Sequence, residues 1–107
     1  MLLHLSDYTR FRPDRHHTEL VADFPEGRVA VFSLEPGQRV EGHQAPARVL
    51  LSVIEGQGQI SVGETVSMAK LGDMVLVDPL VTHGMKADHE RFVVLAVIIS
   101  LSSDDSR

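Results

Sequence analysis

Between Thr18 and Ser100 the chain repeats one pattern, a short run of β-branched and apolar residues followed by a turn rich in glycine, proline or aspartate. Residues 19–24 end at Pro25-Glu26-Gly27, and 28–34 end at Pro36-Gly37. Proline presets φ for a turn and glycine accepts positive φ without steric cost, so each of these is a turn signal with a mechanism. Residues 39–43 read as a short strand of mixed polarity. Residues 48–54 are almost continuously apolar, which predicts a strand covered on both faces and closed by a turn at Gly56-Gln57-Gly58. Residues 59–62 and 65–68 alternate on either side of Gly63-Glu64, a hairpin signature. Gly72-Asp73 leads into 74–77, and Asp78-Pro79 closes that run. Residues 81–85 carry His83, Ala87-Asp88-His89-Glu90 reads as a polar hairpin loop, and 91–100 form a long apolar run. No stretch shows a capped helical period. Short strands at regular spacing predict an all-β sandwich or barrel, and closure hides the edges of so many apolar strands.

Length sets the scale. The 107 residues suffice for one core. The reading divides them into an N-terminal extension at 1–17, with a short strand at 2–5, a barrel at 18–101 and a flexible polar tail at 102–107. A net charge of −5 argues against a nucleic-acid partner, for which a clustered basic surface is expected. The one local exception, residues 10–17 with three arginines and two histidines, reads as a solvated loop. With no cysteine there are no disulfides and no thiolate chemistry. No apolar window reaches the length of a signal peptide or a membrane span, so a cytoplasmic protein without a membrane partner is expected.

Two histidines stand in related settings. His43 follows Gly37 by six positions and precedes the 48–54 run, and His83 follows Gly72, the 74–77 run and Pro79. In these spacings the chain resembles a small single-domain cupin (cupin type 2, RmlC-like), over residues 29–100. The first cupin motif runs glycine, five residues, His-x-His, three or four residues, glutamate, six residues, glycine. Gly37, His43 and Gly56 match it. Gly72, Pro79 and His83 match the second motif. The resemblance implies a double-stranded β-helix, or jelly-roll, barrel. It also implies a divalent metal such as Zn, Ni, Mn or Fe held by three histidines and a glutamate. Only His43 and His83 match those ligand positions. Ala45 replaces the second histidine, Val49 the glutamate, and Ala87 the asparagine that often follows.

Two imidazoles fall short of the three protein ligands usual for a catalytic metal. Glu41, two residues before His43, is the best candidate for a recruited carboxylate, because alternate residues of a strand share a face. Gly42 between them is a place where a bulge would spoil that alignment. His16, His17 and His89 read as surface residues, and Met68, Met74 and Met85 as core filler. Two functions follow. The first is a barrel pocket containing His43, His83, Met85 and Arg48 that binds a small molecule with weak or no metal. The second is a metal-dependent enzyme of oxygenase, isomerase or decarboxylase type, using His43, His83 and a recruited ligand such as Glu41. The apolar strands and the family resemblance further imply a homodimer.

Overall fold

The computed structural model describes residues 1–101, and the polar tail expected at 102–107 lies outside the described residues. Its strands are β1 (His17–Phe24), β2 (Gly27–Leu34), β3 (Arg39–His43), β4 (Ala47–Val62), β5 (Thr65–Lys70), β6 (Met74–Val77) and β7 (His83–Ser100). The strand expected at 2–5 is absent, and a single turn of 3-10 helix occupies Leu5–Tyr8 instead. Its backbone is engaged locally. The Asp7 N–H donates to the His4 carbonyl at 3.0 Å, and the Thr9 hydroxyl donates to the Leu5 carbonyl at 3.1 Å. Such short-range bonds compete with an extended ladder.

All pairing is antiparallel, along the path β1-β2-β7-β4-β5, with β3 also on β7 and β6 also on β4. The two long strands pair from Ala47 opposite Ser100 to Val62 opposite His83, with register shifts at Val53/Glu55 and Gly56/Gly58. The expected turn at 56–58 is therefore a bend inside one strand of 16 residues. A Cβ on Gly58 would lie 2.6 Å from the Lys86 carbonyl oxygen and against the Phe92 ring, so a residue without a side chain is what lets β4 pass this close to β7. The expected hairpin loop at 87–90 likewise stays within β7. Ala87 exchanges backbone hydrogen bonds with Gly37 and Gln38, and Gln59 Nε2 donates to the Asp88 carboxylate at 3.0 Å. At Ala87 non-local pairing overrode the local polarity, whereas 88–90 fall in the register shift between Ala87 and Phe92.

The bend gives each long strand a place in two layers. One layer joins β1, β2, the C-terminal half of β7, the N-terminal half of β4, and β6. The other joins β3, the N-terminal half of β7, the C-terminal half of β4, and β5. The core draws on both. Leu34, Leu51, Val77, Phe92 and Val94 come from the first layer and Ile60, Ala69, Met85 and Ala87 from the second. Each large apolar side chain buried this way stabilises the fold by about 1.5–3 kcal/mol. The 48–54 run is less enclosed than expected. Val49, Leu51 and Val53 are buried, whereas Arg48 is exposed and Leu50, Ser52 and Ile54 are half-buried, which is one-sided burial with period two. Met68 and Met74 are 60% and 59% exposed and are not core filler; only Met85 is, at 5%. Met68 pairs with Gln59 and Met74 with Ser52, so both lie on outward faces.

The N-terminal extension covers part of the first layer's outer face, where Val31, Ser33 and Val93 are fully buried outside the core cluster. The Arg91 guanidinium lies 4.1 Å from the Phe11 ring centroid, and Gln38 Nε2 donates to the Arg12 carbonyl at 2.7 Å. Among the described residues, no helix is long and apolar enough to cross a membrane.

Candidate ligand pocket

Strand β3 runs antiparallel to the start of β7, and the register sets His43 directly opposite His83. Their ring centroids are 4.4 Å apart, with the planes tilted by 51°. The glycine beside each histidine permits this approach. A Cβ on Gly84 would meet the Val40 carbonyl oxygen at 2.8 Å and the Gly42 nitrogen at 3.1 Å. His83 is 4% exposed, while His43 stands at the open side of the pair. Each ring is held by a backbone carbonyl two residues earlier in the chain. His43 Nδ1 lies 3.3 Å from the Glu41 carbonyl oxygen, and His83 Nδ1 lies 3.1 Å from that of Val81.

Behind the pair lies a cavity of about 50 Å³. Ala45 and Val49 line it together with both imidazoles, so the structure gathers all four motif positions around one space. Met85 lines it as well, two residues beyond His83 on the same inward face. Phe32, Val40, Leu51, Ala96 and Ile98 add further apolar side chains to its wall. Sequence reasoning missed Phe32. Its alternation with Leu34 marks an inward face, but only the pairing of β2 with β7 shows that this face reaches the histidines.

Arg48 is placed elsewhere. It alternates with the buried Ala47 and Val49, so its guanidinium faces outward, where Nη1 donates to Asp78 Oδ1. Glu41 also stays outside. The register shifts between Val40 and His43, and the Glu41 side chain is 80% exposed and 3.7 Å from Arg39. It borders a separate open depression of about 220 Å³ on the outside of the second layer, with Gln59, Ser61 and Lys86. The bulge at Gly42 is what breaks the strand alternation between Glu41 and His43. His16 and His17 border a third depression with Arg12 and Arg15. There the His17 Nε2–H donates to Glu19 at 2.9 Å and holds the Glu19 carboxyl below its ordinary value.

The donor set does not fit a resident divalent metal. Ala45 and Val49 offer no ligand atoms. Among the described residues no three histidine, cysteine, aspartate or glutamate side chains converge on a metal-sized space. What the arrangement supplies is two imidazoles in an otherwise apolar wall.

Residues 27–103 match the model of the AraC-like ligand binding domain. Among solved structures, the chain is similar to an RmlC-like cupin protein from Desulfovibrio desulfuricans at 26% identity and a TM-score of 0.83, covering 92% of this chain and 96% of that one. A protein with a double-stranded β-helix domain from Klebsiella pneumoniae superposes with a TM-score of 0.86 at 24% identity, over 92% and 88%. A cupin 2 conserved barrel domain protein from Leptotrichia buccalis gives 0.84 at 19%, over 92% of this chain and 47% of that longer one. Comparison with curated proteins finds no match. The jelly-roll barrel expected from the sequence is the fold these structures share.

Proposed function

The chain belongs to the family of AraC-like ligand-binding domains, and from that premise we propose that it binds a small molecule in the His43–His83 cavity without a resident metal. One observation carries the reading: two imidazoles 4.4 Å apart border a cavity whose other side chains are apolar. Concave apolar sites with a few convergent polar groups are where proteins hold small ligands. The cavity is small, about 50 Å³, where holding a single water takes roughly 10–15 Å³. It therefore suits a ligand of few heavy atoms, or one end of a larger ligand entering past His43. The cheapest test is a thermal-shift screen of small polar compounds on metal-stripped protein, since a ligand of the native state raises its stability. A shift present in the wild type and lost in His83→Ala is expected. Stoichiometric metal that survives chelation and disappears in His43→Ala would overturn the metal-free reading and favour the metal-dependent enzyme.

We further propose a second copy of the chain as partner, seated on the outer face of the first layer. The register aligns Val29, Val97, Leu50 and Leu76 as one apolar row across four strands, and Leu76 and Met74 are 63% and 59% exposed. Arg48 paired with Asp78 flanks the row and supplies both signs of charge for a self-complementary contact. Light scattering is expected to give a dimeric mass that Leu76→Glu halves. A monomeric wild type would refute this.

A further inference from the structure

The way the two imidazoles are held specifies what chemistry a ligand of this cavity must bring, an inference that rests on the ligand-binding reading above. Each Nδ1 faces a backbone carbonyl two residues earlier, Glu41 for His43 and Val81 for His83. A carbonyl oxygen only accepts, so each Nδ1 carries the hydrogen. A neutral imidazole has one N–H, and Nε2 of both rings is therefore left with a lone pair. No hydrogen bond among the described residues engages either Nε2. The rest of the wall cannot balance this. Phe32, Ala45, Val49 and Leu51 have no polar side-chain atom, and the Met85 thioether is itself a weak acceptor. The side chains that line the cavity bring two strong acceptors, one weak one, and no free donor.

We propose that this cavity selects its ligand by hydrogen-bond donors that the ligand supplies. The matching class is a small compound with a compact apolar body and an N–H or O–H group: an amide, an alcohol or an ammonium. Carboxylates and phosphates are rejected. An anion entering here would set its own acceptor atoms against two lone pairs and lose its hydration without replacement, and buried polar atoms left unpaired are costly. The three larger depressions on the surface do not share this property, because Arg39 and Lys86 line one, Arg12 and Arg15 the second and Arg28 the third. Donor selection is particular to the barrel interior.

The test uses the full chain, untagged, with EDTA, at pH 8, where an ordinary imidazole is neutral. Long-range proton–nitrogen correlation spectra of the histidine side chains, assigned with His43→Gln and His83→Gln, read the tautomers directly. Both rings are expected as the Nδ1–H form. Either ring in the Nε2–H form overturns the proposal. Acetamide and acetate, nearly equal in shape, are then titrated while the Nε2 signals are followed. Acetamide is expected to bind at least about ten-fold more tightly, since sites built around a hydrogen bond discriminate strongly against analogues that cannot make it. Equal or tighter binding of acetate overturns donor selection. If the tautomers are as stated but acetamide, propan-2-ol and methylammonium all leave Nε2 unmoved, the ligand-binding reading itself fails, and donor selection falls with it. Ala45→Ser adds one O–H to the wall and is expected to narrow the acetamide-to-acetate ratio; an unchanged ratio counts against the proposal.

Discussion

The two halves of β7 share a strand and an inward face yet do different work. From Phe92 to Ala96 the inward side chains are fully buried, and they interlock with Leu34, Leu51 and Val53. From His83 to Met85 the same inward face meets a short strand, β3, which is interrupted by a bulge and opposed by glycine. The first half is closed by packing from long neighbours on both sides, β2 and β4. The second half has β3 on one side, only five residues long and mostly exposed. Packing density decides the outcome. Where both neighbours are long and apolar the side chains are mostly core, and where one is short and polar a cavity opens with imidazoles at its rim, reaching back to Ala96 and Ile98 of the first half.

Substitutions that affect the two halves differently test this contrast. Phe92→Ala is expected to have the largest effect, a loss of about 3–5 kcal/mol in urea unfolding, because a fully buried ring leaves a cavity that the surrounding strands cannot fill. A loss under 1 kcal/mol would mean that this half is as loosely packed as the other. Met85→Ala sits at the boundary. It is expected to cost about 2 kcal/mol, the low end for a buried methionine, since its side chain already borders open space. It should also admit a bulkier amide than acetamide in the titration described above. His83→Ala removes one hydrogen bond to the Val81 carbonyl and is expected to cost about 1 kcal/mol, while abolishing the response to small ligands. Should the response survive, the cavity is not the binding site.

The smallest effects are expected away from β7's inward face. Arg48→Ala breaks an exposed ion pair with Asp78 and should change stability by about 0.5 kcal/mol or less and leave ligand binding intact. Altered ligand affinity would bring Arg48 back to the pocket. Glu19 gives a pH test of the N-terminal segment. The His17 hydrogen bond lowers its carboxyl pKa, so whatever stability the pair provides is present above the ordinary carboxylate value and is lost as pH falls through the lowered one. An NMR titration should show Glu19 titrating below an ordinary glutamate, and His17→Ala should return it. No return would assign the shift to Arg10 instead, the weaker of the neighbouring charges.

Much of this was legible in the residues. Period-two alternation and turn chemistry report local backbone preference, so β2, β6 and the β4–β5 hairpin were readable directly. The glycine and histidine spacings placed His43 and His83, and the same spacings put Ala45 and Val49 beside them. Strand continuity was not readable. Gly56-Gln57-Gly58 has the composition of a turn, yet it lies within a long strand because partners far away in sequence satisfy its backbone groups. In 87–90, which has the composition of a loop, Ala87 is held in the same way, while 88–90 fall in the register shift between Ala87 and Phe92. Glu41 was placed by assuming a regular strand, and a bulge of one residue reverses which face a side chain occupies.

The sequence by itself determined an all-β sandwich or barrel, and its resemblance to the cupins narrowed this to a jelly-roll barrel with His43 and His83 at matching motif positions. It also determined that two of the four customary ligand positions hold no ligand atoms, since alanine and valine have none wherever they sit. Only the tertiary structure decided that His43 and His83 lie ring to ring, that Arg48 and Glu41 face outward, and that both Nδ1 atoms are committed to carbonyls. The ring-to-ring approach depends on strand register, and each Nδ1 contact on a backbone carbonyl two residues earlier in the chain. Register is set by the summed packing of whole strands, which no local stretch of residues encodes.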